Sequence, residues 1–298
     1  MIKVSIISDE ISDDFEQSLD IALEHGVRHV ELRSLWGTNV SEVTDDHIAR
    51  AKDALDKRNM RVIGIAGPVF KIHLSEEHAG GVGDTHKAKA SGTVEEHLEI
   101  LDSTIRTAKA FDTDIVRTFA FWRNGAPTPE IHDQIEERLR KAVERAEAAG
   151  VRLALENEHA CFIGTASESI EALRRVPSKS LGLIWDPGNA ANLDPIEEVF
   201  PGGYEALKKE IGFDRIFHVH LKDVKTHADG KVKFTEFGKG ELDFRGQIRA
   251  LVEDGYQGAV AMETHWRAEG MSKAQASGIC LDNLWKIIDE EGLRGHFE

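Results

Sequence analysis

The sequence predicts a single (β/α)8 TIM barrel over residues 1–298, and three observations support it. Short apolar runs alternate with longer segments of helical period, which is the pattern of repeated βα units. There are eight such runs, and eight parallel strands joined by helical crossovers favour a closed barrel. The turn after the first run, SDEIS at 8–12, contains no glycine. An open doubly wound sheet is expected to carry a glycine-rich phosphate turn there.

The predicted strands cover residues 3–7, 29–32, 61–66, 114–119, 151–156, 181–186, 216–221 and 258–263. Helical periodicity marks segments between them, among them 15–26, 97–111 and 131–150. The last segment ends at Gly150, as a helix that stops on a left-handed glycine does. Two longer connections, 73–90 and 222–240, follow the third and seventh strands and fit either active-site lids or plain surface loops.

Composition limits the classes of partner. The net charge of −16 disfavours binding to a polyanion, so no nucleic-acid partner is expected. The two cysteines, Cys161 and Cys280, are too few for a disulfide framework. No signal segment precedes the first strand and no apolar run reaches the length of a membrane span. We therefore expect a cytoplasmic protein without a membrane partner.

Four ligand-type side chains stand at the ends of four predicted strands: Glu156, Asp186, His220 and Glu263. In a parallel barrel these ends open onto one face, where active sites are built. Three carboxylates and one imidazole suit a divalent cation that keeps positions open for substrate. Taken singly, each of these residues could be an ordinary polar residue at the end of a strand. Together their negative charges would repel strongly without a cation, which favours a metal site.

Strand seven contributes three polar residues to one face, because side chains alternate along a strand. His218, His220 and Lys222 are therefore predicted to face the barrel axis. His220 lies nearer the mouth and is the predicted ligand, while His218 lies one layer deeper and supports the site. Lys222 at the rim is expected to hold a substrate oxygen, unless it is a solvated loop lysine.

Four motifs together resemble a known superfamily. They are LALENEH around Glu156, GLIWDPGNA around Asp186, HVHLKD around His220 and MET around Glu263. VELRSLWG at 30–37 and VRTFAFWR at 116–123 add to the likeness, which spans nearly the whole chain. The chain resembles the sugar phosphate isomerase/epimerase superfamily of xylose-isomerase-like TIM barrels, also described as the AP endonuclease family 2 type. That group includes tagatose and allulose epimerases, inosose dehydratases and endonuclease IV.

The resemblance implies that Glu156, Asp186, His220 and Glu263 bind one divalent metal ion, manganese first, with magnesium, cobalt or zinc as alternatives. It also implies that Glu156 and Glu263 exchange a proton at a carbon of a carbohydrate or polyol through a metal-stabilised enediolate. An isomerase or epimerase is the leading interpretation, and the family suggests a homodimer or homotetramer. A dehydratase acting on an inosose or keto-sugar is the alternative, and a non-catalytic sugar-binding or partner-supporting barrel is the third.

The sequence also departs from the superfamily pattern. Asn189 stands where the ketose epimerases and endonuclease IV carry a histidine, and the endonuclease metal cluster is incomplete. The incomplete cluster and the net negative charge of the chain both argue against endonuclease activity. The predicted substrate contacts are Lys222, His218, Glu158, Arg117, Trp122 and Asn189, a set suited to hydroxyl-rich molecules. Trp122 equally fits a subunit contact or a plain core aromatic.

Overall fold

Eight parallel strands form a closed barrel in the computed structural model, which describes residues 1–75 and 92–298. Each strand pairs with its neighbours in the chain, and the first pairs with the last, so the predicted barrel is confirmed. The strands are β1 (Lys3–Ile7), β2 (His29–Leu32), β3 (Arg61–Val69), β4 (Ile115–Thr118), β5 (Arg152–Glu156), β6 (Leu181–Trp185), β7 (Ile216–Leu221) and β8 (Ala259–Met262).

A helix follows each strand on the outside of the barrel. The helices are α1 (Phe15–Glu24), α2 (Asp45–Asp56), α3 (Val94–Ala110), α4 (Pro129–Ala149), α5 (Ala166–Arg175), α6 (Tyr204–Ile211), α7 (Phe244–Glu253) and α8 (Lys273–Glu290). Shorter helical turns occupy Ser8–Glu10, Pro187–Ala190, Ile196–Glu198, Val199–Gly203, Phe213–Arg215 and Arg294–His296. None of the helices in the described ranges is long and apolar enough to cross a membrane.

Local signals explain where several helices begin and end. Thr44, Thr93, Thr165 and Ser272 precede α2, α3, α5 and α8 and form capping boxes with the third helical residue. Gly150 ends α4 with a φ of 69°, which confirms the predicted left-handed stop. These caps satisfy backbone groups that would otherwise lack partners at the helix ends.

Apolar residues fill two regions of the barrel. Between strands and helices, the outward-facing side chains of the strands pack on helix faces such as that of α4, which buries Ile131, Ile135, Leu139 and Val143 at helical spacing. A separate cluster of Ile115, Ala154, Ile184 and Phe217 is buried as well. Because Ala154 stands two residues before Glu156 on β5, this cluster forms the apolar layer beneath the polar strand ends.

Of the two long connections predicted from the sequence, the structure describes mainly the second. Most of 73–90 lies outside the described residues. The connection 222–240 contains an antiparallel hairpin of Asp223–Thr226 with Val232–Thr235. Its base is held by the Asp223 carboxylate, which accepts hydrogen bonds from the backbone N–H groups of Gly238 and Gly240, both at 2.9 Å.

Gly188 allows the ends of β6 and β7 to approach each other. It lies in the turn Pro187–Ala190, directly after β6. A Cβ atom at this position would lie 2.5 Å from the Lys222 carbonyl oxygen and 2.6 Å from the Lys222 Cγ. Only glycine fits this contact without displacing the chain after β7.

We predict that Gly188→Ala lowers the free energy of unfolding by about 1–3 kcal/mol, because the added methyl group overpacks a closed contact. Urea denaturation measures the change. Gly202→Ala is the matched control, since a Cβ at Gly202 would meet no heavy atom of the described residues within 4 Å. An equal loss in both variants would show that the contact with Lys222 is not responsible.

Candidate metal centre and active site

The structure brings the four predicted ligands together at one end of the barrel. Glu156, Asp186, His220 and Glu263 each offer one atom within 4.8 Å of the others. All four side chains are buried, at 0 to 3% exposure. They come from the ends of β5, β6, β7 and β8, as their positions in the sequence predict.

The His220 imidazole faces the three carboxylates through its Nδ1 atom. Nδ1 lies 3.4 Å from Glu156 Oε1, 3.6 Å from Glu263 Oε2 and 3.8 Å from Asp186 Oδ2. It makes no hydrogen bond with any residue in the described part of the chain. Two atoms bound to one ion at about 2.1 Å lie roughly 3.0–3.4 Å apart. The spacing of these atoms therefore fits a single divalent cation after small adjustments.

The other nitrogen of His220 contacts Glu31, a residue that the sequence analysis did not select. Glu31 Oε2 lies 2.9 Å from His220 Nε2 and 3.1 Å from His218 Nε2. Burial acts to raise the pKa of Glu31, but the two histidines outweigh it and hold the pKa well below its ordinary value. The signal in the sequence was an acidic residue inside the apolar strand HVEL.

Basic side chains balance the ligand carboxylates. Lys222 Nζ lies 2.8 Å from Asp186 Oδ2 and also pairs with Glu263, while Arg117 Nη1 donates to Glu156 Oε2 at 2.8 Å. Burial raises the pKa of Asp186 to about 6, against the opposing effect of Lys222. Burial also acts to raise the pKa of Glu263, but Lys222, His265 and His220 together outweigh it and the pKa is well below its ordinary value.

Lys222 and Arg117 are buried rather than exposed at the rim. Their exposures are 3% and 5%. The alternative of a solvated loop lysine at 222 is therefore wrong, because the residue lies among carboxylates. Arg117 lies within β4, and its guanidinium also donates to the carbonyl oxygens of Ala66 at 2.9 Å and Gly67 at 3.3 Å. Both cations are therefore held in fixed positions.

A second arginine, Arg33, contacts Glu263 from the opposite side and was also missed from the sequence. Its Nη1 lies 3.3 Å from Glu263 Oε1, and its other nitrogens pair with Glu10 at 2.5 Å and Asp9 at 3.1 Å. Its sequence signal was weak, since a single arginine after β2 is common on a surface. Glu263 thus has cationic neighbours on both carboxylate oxygens.

Glu158 lies beside the four predicted ligands, in the wall of a cavity that opens above them. Its carboxylate pairs with Lys71 Nζ at 2.9 Å and lies 3.0 Å from His159 Nδ1. Burial acts to raise the pKa of Glu158, but Lys71, His159 and Lys222 together outweigh it and the pKa is well below its ordinary value. A charged carboxylate therefore stands at the wall of the cavity.

Asn189 holds two of the predicted ligands in place. Its backbone N–H donates to Asp186 Oδ1 at 2.8 Å, and its Nδ2 lies 3.3 Å from Glu156 Oε1. Neighbouring Asn157, which the sequence analysis did not select, joins the end of β5 to that of β6. Its amide accepts from the Asp186 N–H at 2.7 Å and donates to the Asp186 carbonyl oxygen at 2.8 Å.

His218 and Trp122 lie away from the cavity wall. His218 is fully buried, with Nδ1 3.0 Å from the Ala259 carbonyl oxygen, in the layer beneath His220. Trp122 is also fully buried and packs in a cluster with Phe119, Ala160 and Cys161. Neither side chain lines the cavity, and the same is true of Lys222 and Asn189. The assignment of these four residues as substrate contacts stays a prediction.

A cavity of about 640 Å³ opens above the centre, large enough for a small organic molecule. Its walls include Arg33, Lys71, Arg117, Glu156, Glu158 and Glu263. A second cavity of about 480 Å³ lies at the opposite end of the barrel and contains none of the four predicted ligands. The larger cavity is therefore the candidate active site.

Comparison with known proteins gives a family match. The model of the family described as "Xylose isomerase-like TIM barrel" matches residues 19–283. An uncharacterized protein of Methanocaldococcus jannaschii is 28% identical over 202 residues, which is 65% of this chain and 64% of that protein. An inosose dehydratase of Lactiplantibacillus plantarum is 27% identical over 268 residues, 85% of this chain and 75% of that enzyme. A putative L-ribulose-5-phosphate 3-epimerase of Escherichia coli is 29% identical, over 45% of this chain and 47% of that protein.

Solved structures share the fold. The IolI protein with a binding zinc atom has a TM-score of 0.72 at 17% identity, covering 97% of this chain and 99% of its own. A D-tagatose 3-epimerase-like protein has a TM-score of 0.72 at 20% identity, and the match covers 98% of this chain and 99% of that protein. A xylose isomerase-like TIM barrel protein of Mycobacterium smegmatis in complex with magnesium has a TM-score of 0.67 at 20% identity. That match covers 97% of this chain and 96% of that protein.

We predict that Asn157→Leu lowers the free energy of unfolding by roughly 2 kcal/mol or more, because it leaves the buried Asp186 N–H without its partner and removes a donor from the carbonyl oxygens of Asp186 and Gly164. Urea denaturation measures the change. Asn192→Leu is the control, since partly exposed Asn192 donates only one such bond, to the Gly188 carbonyl oxygen. Equal losses in the two variants would mean that Asn157 does not hold the end of β6.

Proposed function

The chain belongs to the xylose isomerase-like TIM barrel family, and we propose that it is a divalent-metal-dependent isomerase or epimerase of a carbohydrate or polyol. One observation carries the proposal. Two glutamates, Glu156 and Glu263, present oxygens 3.4 and 3.6 Å from the same imidazole nitrogen, at the floor of a cavity of about 640 Å³. That arrangement puts two candidate proton acceptors beside one cation site.

The proposed metal ligands are Glu156, Asp186, His220 and Glu263. A divalent ion held there would act as a Lewis acid on a substrate oxygen and so acidify the adjacent C–H bond. Manganese is the first proposal, with magnesium, cobalt and zinc as alternatives. Support comes from the donor set of three carboxylates and one imidazole, which suits these ions.

The two glutamates are proposed to move the proton. One carboxylate removes it from the carbon beside a carbonyl group. The other glutamate takes a proton from water and returns it to the same or the neighbouring carbon, and the first then releases its proton to water. Arg117 beside Glu156 and Lys222 beside Glu263 favour the ionised carboxylates in a buried setting. Both glutamates are therefore available as bases before substrate binds.

The substrate class follows from the cavity wall. Charged side chains at the wall, including Lys71, Arg117 and Glu158, provide both donors and acceptors for hydroxyl groups. Each of these charges is already paired with a neighbour of opposite sign. Lys222 is the proposed contact for the substrate oxygen nearest the centre. A hydroxyl-rich small molecule fits this mixture better than a purely apolar one.

A dehydratase is the second candidate, and the likeness to the Lactiplantibacillus plantarum inosose dehydratase over 85% of the chain favours it. Proton removal beside the carbonyl would be the same. The neighbouring C–O bond would then break, and the departing hydroxyl group would take a proton and leave as water. The Lys222 ammonium, 2.8 Å from Asp186, is the proposed donor of that proton.

We predict that the wild-type protein exchanges a substrate C–H proton with deuterium from D2O, and that Glu156→Gln and Glu263→Gln each slow the exchange by at least about 100-fold. Nuclear magnetic resonance of a panel of ketoses, inososes and keto-sugars measures the rate. Glu99→Gln, at an exposed position of α3, is the control. Full exchange in both glutamate variants would contradict the proposed roles.

The products separate the two candidates. A deuterated epimer or isomer without loss of water supports the leading proposal. An ultraviolet-absorbing product with loss of water supports the dehydratase and contradicts the leading proposal.

Metal analysis tests the centre itself. We predict about one equivalent of divalent metal per chain after reconstitution, and loss of exchange after chelation with recovery on adding metal, because one cluster of four ligands holds one ion. Plasma emission spectrometry measures the metal. Asp186→Asn, which removes a ligand but neither proposed base, is expected to bind the metal more weakly. A reconstituted wild-type protein without metal would contradict the ligand assignment.

A further inference from the structure

We propose that Glu31 is a positioning residue for His220: it selects the tautomer and the ring orientation that present Nδ1 to the metal. The inference rests on the metal-binding part of the proposed function. It adds a residue from β2 to a centre whose four proposed ligands come from β5 to β8.

The contacts of Glu31 carry the inference. One carboxylate oxygen, Oε2, lies 2.9 Å from His220 Nε2 and 3.1 Å from His218 Nε2. The two imidazole rings are nearly perpendicular, at 87°, with centroids 5.1 Å apart. Their Nε2 atoms therefore converge on the same oxygen from two directions. The three side chains are at most 1% exposed, so solvent does not compete for these bonds.

The contact with Glu31 favours one tautomer of the His220 ring over the other. A neutral imidazole has one N–H donor and one nitrogen lone pair. If Nε2 carries the proton, it donates to Glu31, and the lone pair of Nδ1 faces the oxygens of Glu156, Asp186 and Glu263. If Nδ1 carries the proton, a lone pair faces the Glu31 carboxylate and Nδ1 has none for a metal. The carboxylate of Glu31 therefore favours the metal-binding tautomer.

His218 contacts the same carboxylate from the layer below. Its Nδ1 lies 3.0 Å from the Ala259 carbonyl oxygen on β8, which orients the ring so that Nε2 points at Glu31. The contacts thus run from the backbone of β8 through His218 and Glu31 to His220. Of the two histidines on this face of β7, His220 is the one whose ring approaches the carboxylates of Glu156, Asp186 and Glu263.

The test uses Glu31→Gln and reads metal binding rather than turnover. We expect the Kd for Co²⁺, measured by calorimetric titration, to rise by about 10–100-fold, since mutating such outer partners of a ligating histidine has this effect. The visible spectrum of bound Co²⁺ is expected to change, because the His220 ring is no longer fixed. Glu99→Gln is the charge-matched control, with an unchanged Kd.

A second measurement needs no variant and so does not depend on Glu31→Gln folding. In the wild-type protein loaded with diamagnetic Zn²⁺, which keeps the ring neutral, the ¹⁵N shifts of His220 are expected to be those of a ring with its proton on Nε2 and the ion on Nδ1. Assignment of the Nδ1–H tautomer would overturn the inference. An unchanged Co²⁺ affinity and spectrum in Glu31→Gln would also overturn it, even if the variant melts at a lower temperature.

Two further outcomes separate this inference from the proposed function. A wild-type protein that binds no Co²⁺ overturns the metal centre, and the inference with it. Two bound Co²⁺ ions per wild-type chain, with one lost in Glu31→Gln, would make Glu31 a ligand of a second ion together with His218 and His220, and would overturn the positioning role alone.

Discussion

Concentrated negative charge at the carboxyl end of the barrel is the constraint on which the rest of the site depends. Glu156, Asp186 and Glu263 are nearly inaccessible to water, and burying an ionised carboxylate without a partner is costly. The structure offsets this with Arg117 at Glu156 and with Lys222 between Asp186 and Glu263. Removing one member of such a buried pair costs about 3–5 kcal/mol, so the cations are as necessary to the site as the carboxylates.

The barrel provides the framework that makes this concentration of charge tolerable. All eight strands run parallel, so their carboxyl ends meet at one mouth, and the apolar layer of Ile115, Ala154, Ile184 and Phe217 lies below it. Asn157 connects β5 to β6. The four proposed ligands and the cations that pair with them thus lie together at one end of the barrel, above this apolar layer.

Much of the site was predictable from local sequence patterns. Glu156, Asp186, His220 and Glu263 each end a short apolar run, and strand ends of a parallel barrel share one face. The alternation of His218, His220 and Lys222 along one strand also predicted their inward direction. These inferences use only the backbone geometry of a strand, which does not depend on the rest of the molecule. Their roles in metal binding and proton transfer stay predictions.

Other features depended on contacts between distant segments. Glu31 meets His220 although the two are 189 residues apart in the chain, and Arg33 meets Glu263 across 230 residues. No local pattern encodes such a pair, because the distance between two side chains across the barrel is set by strand number, register and closure. The depth of Lys222 is decided in the same way, since a residue just after a strand is exposed or buried according to what packs over it.

The sequence by itself therefore determined the order of the strands and helices, the inward faces of the strands and the four residues at their ends, because each follows from the local periodicity of the backbone. Only the tertiary structure decided which cation balances which carboxylate, which nitrogen of His220 faces the carboxylates and how deeply Lys222 is buried. These depend on distances of about 3 Å between strands that the chain brings together only when the barrel closes.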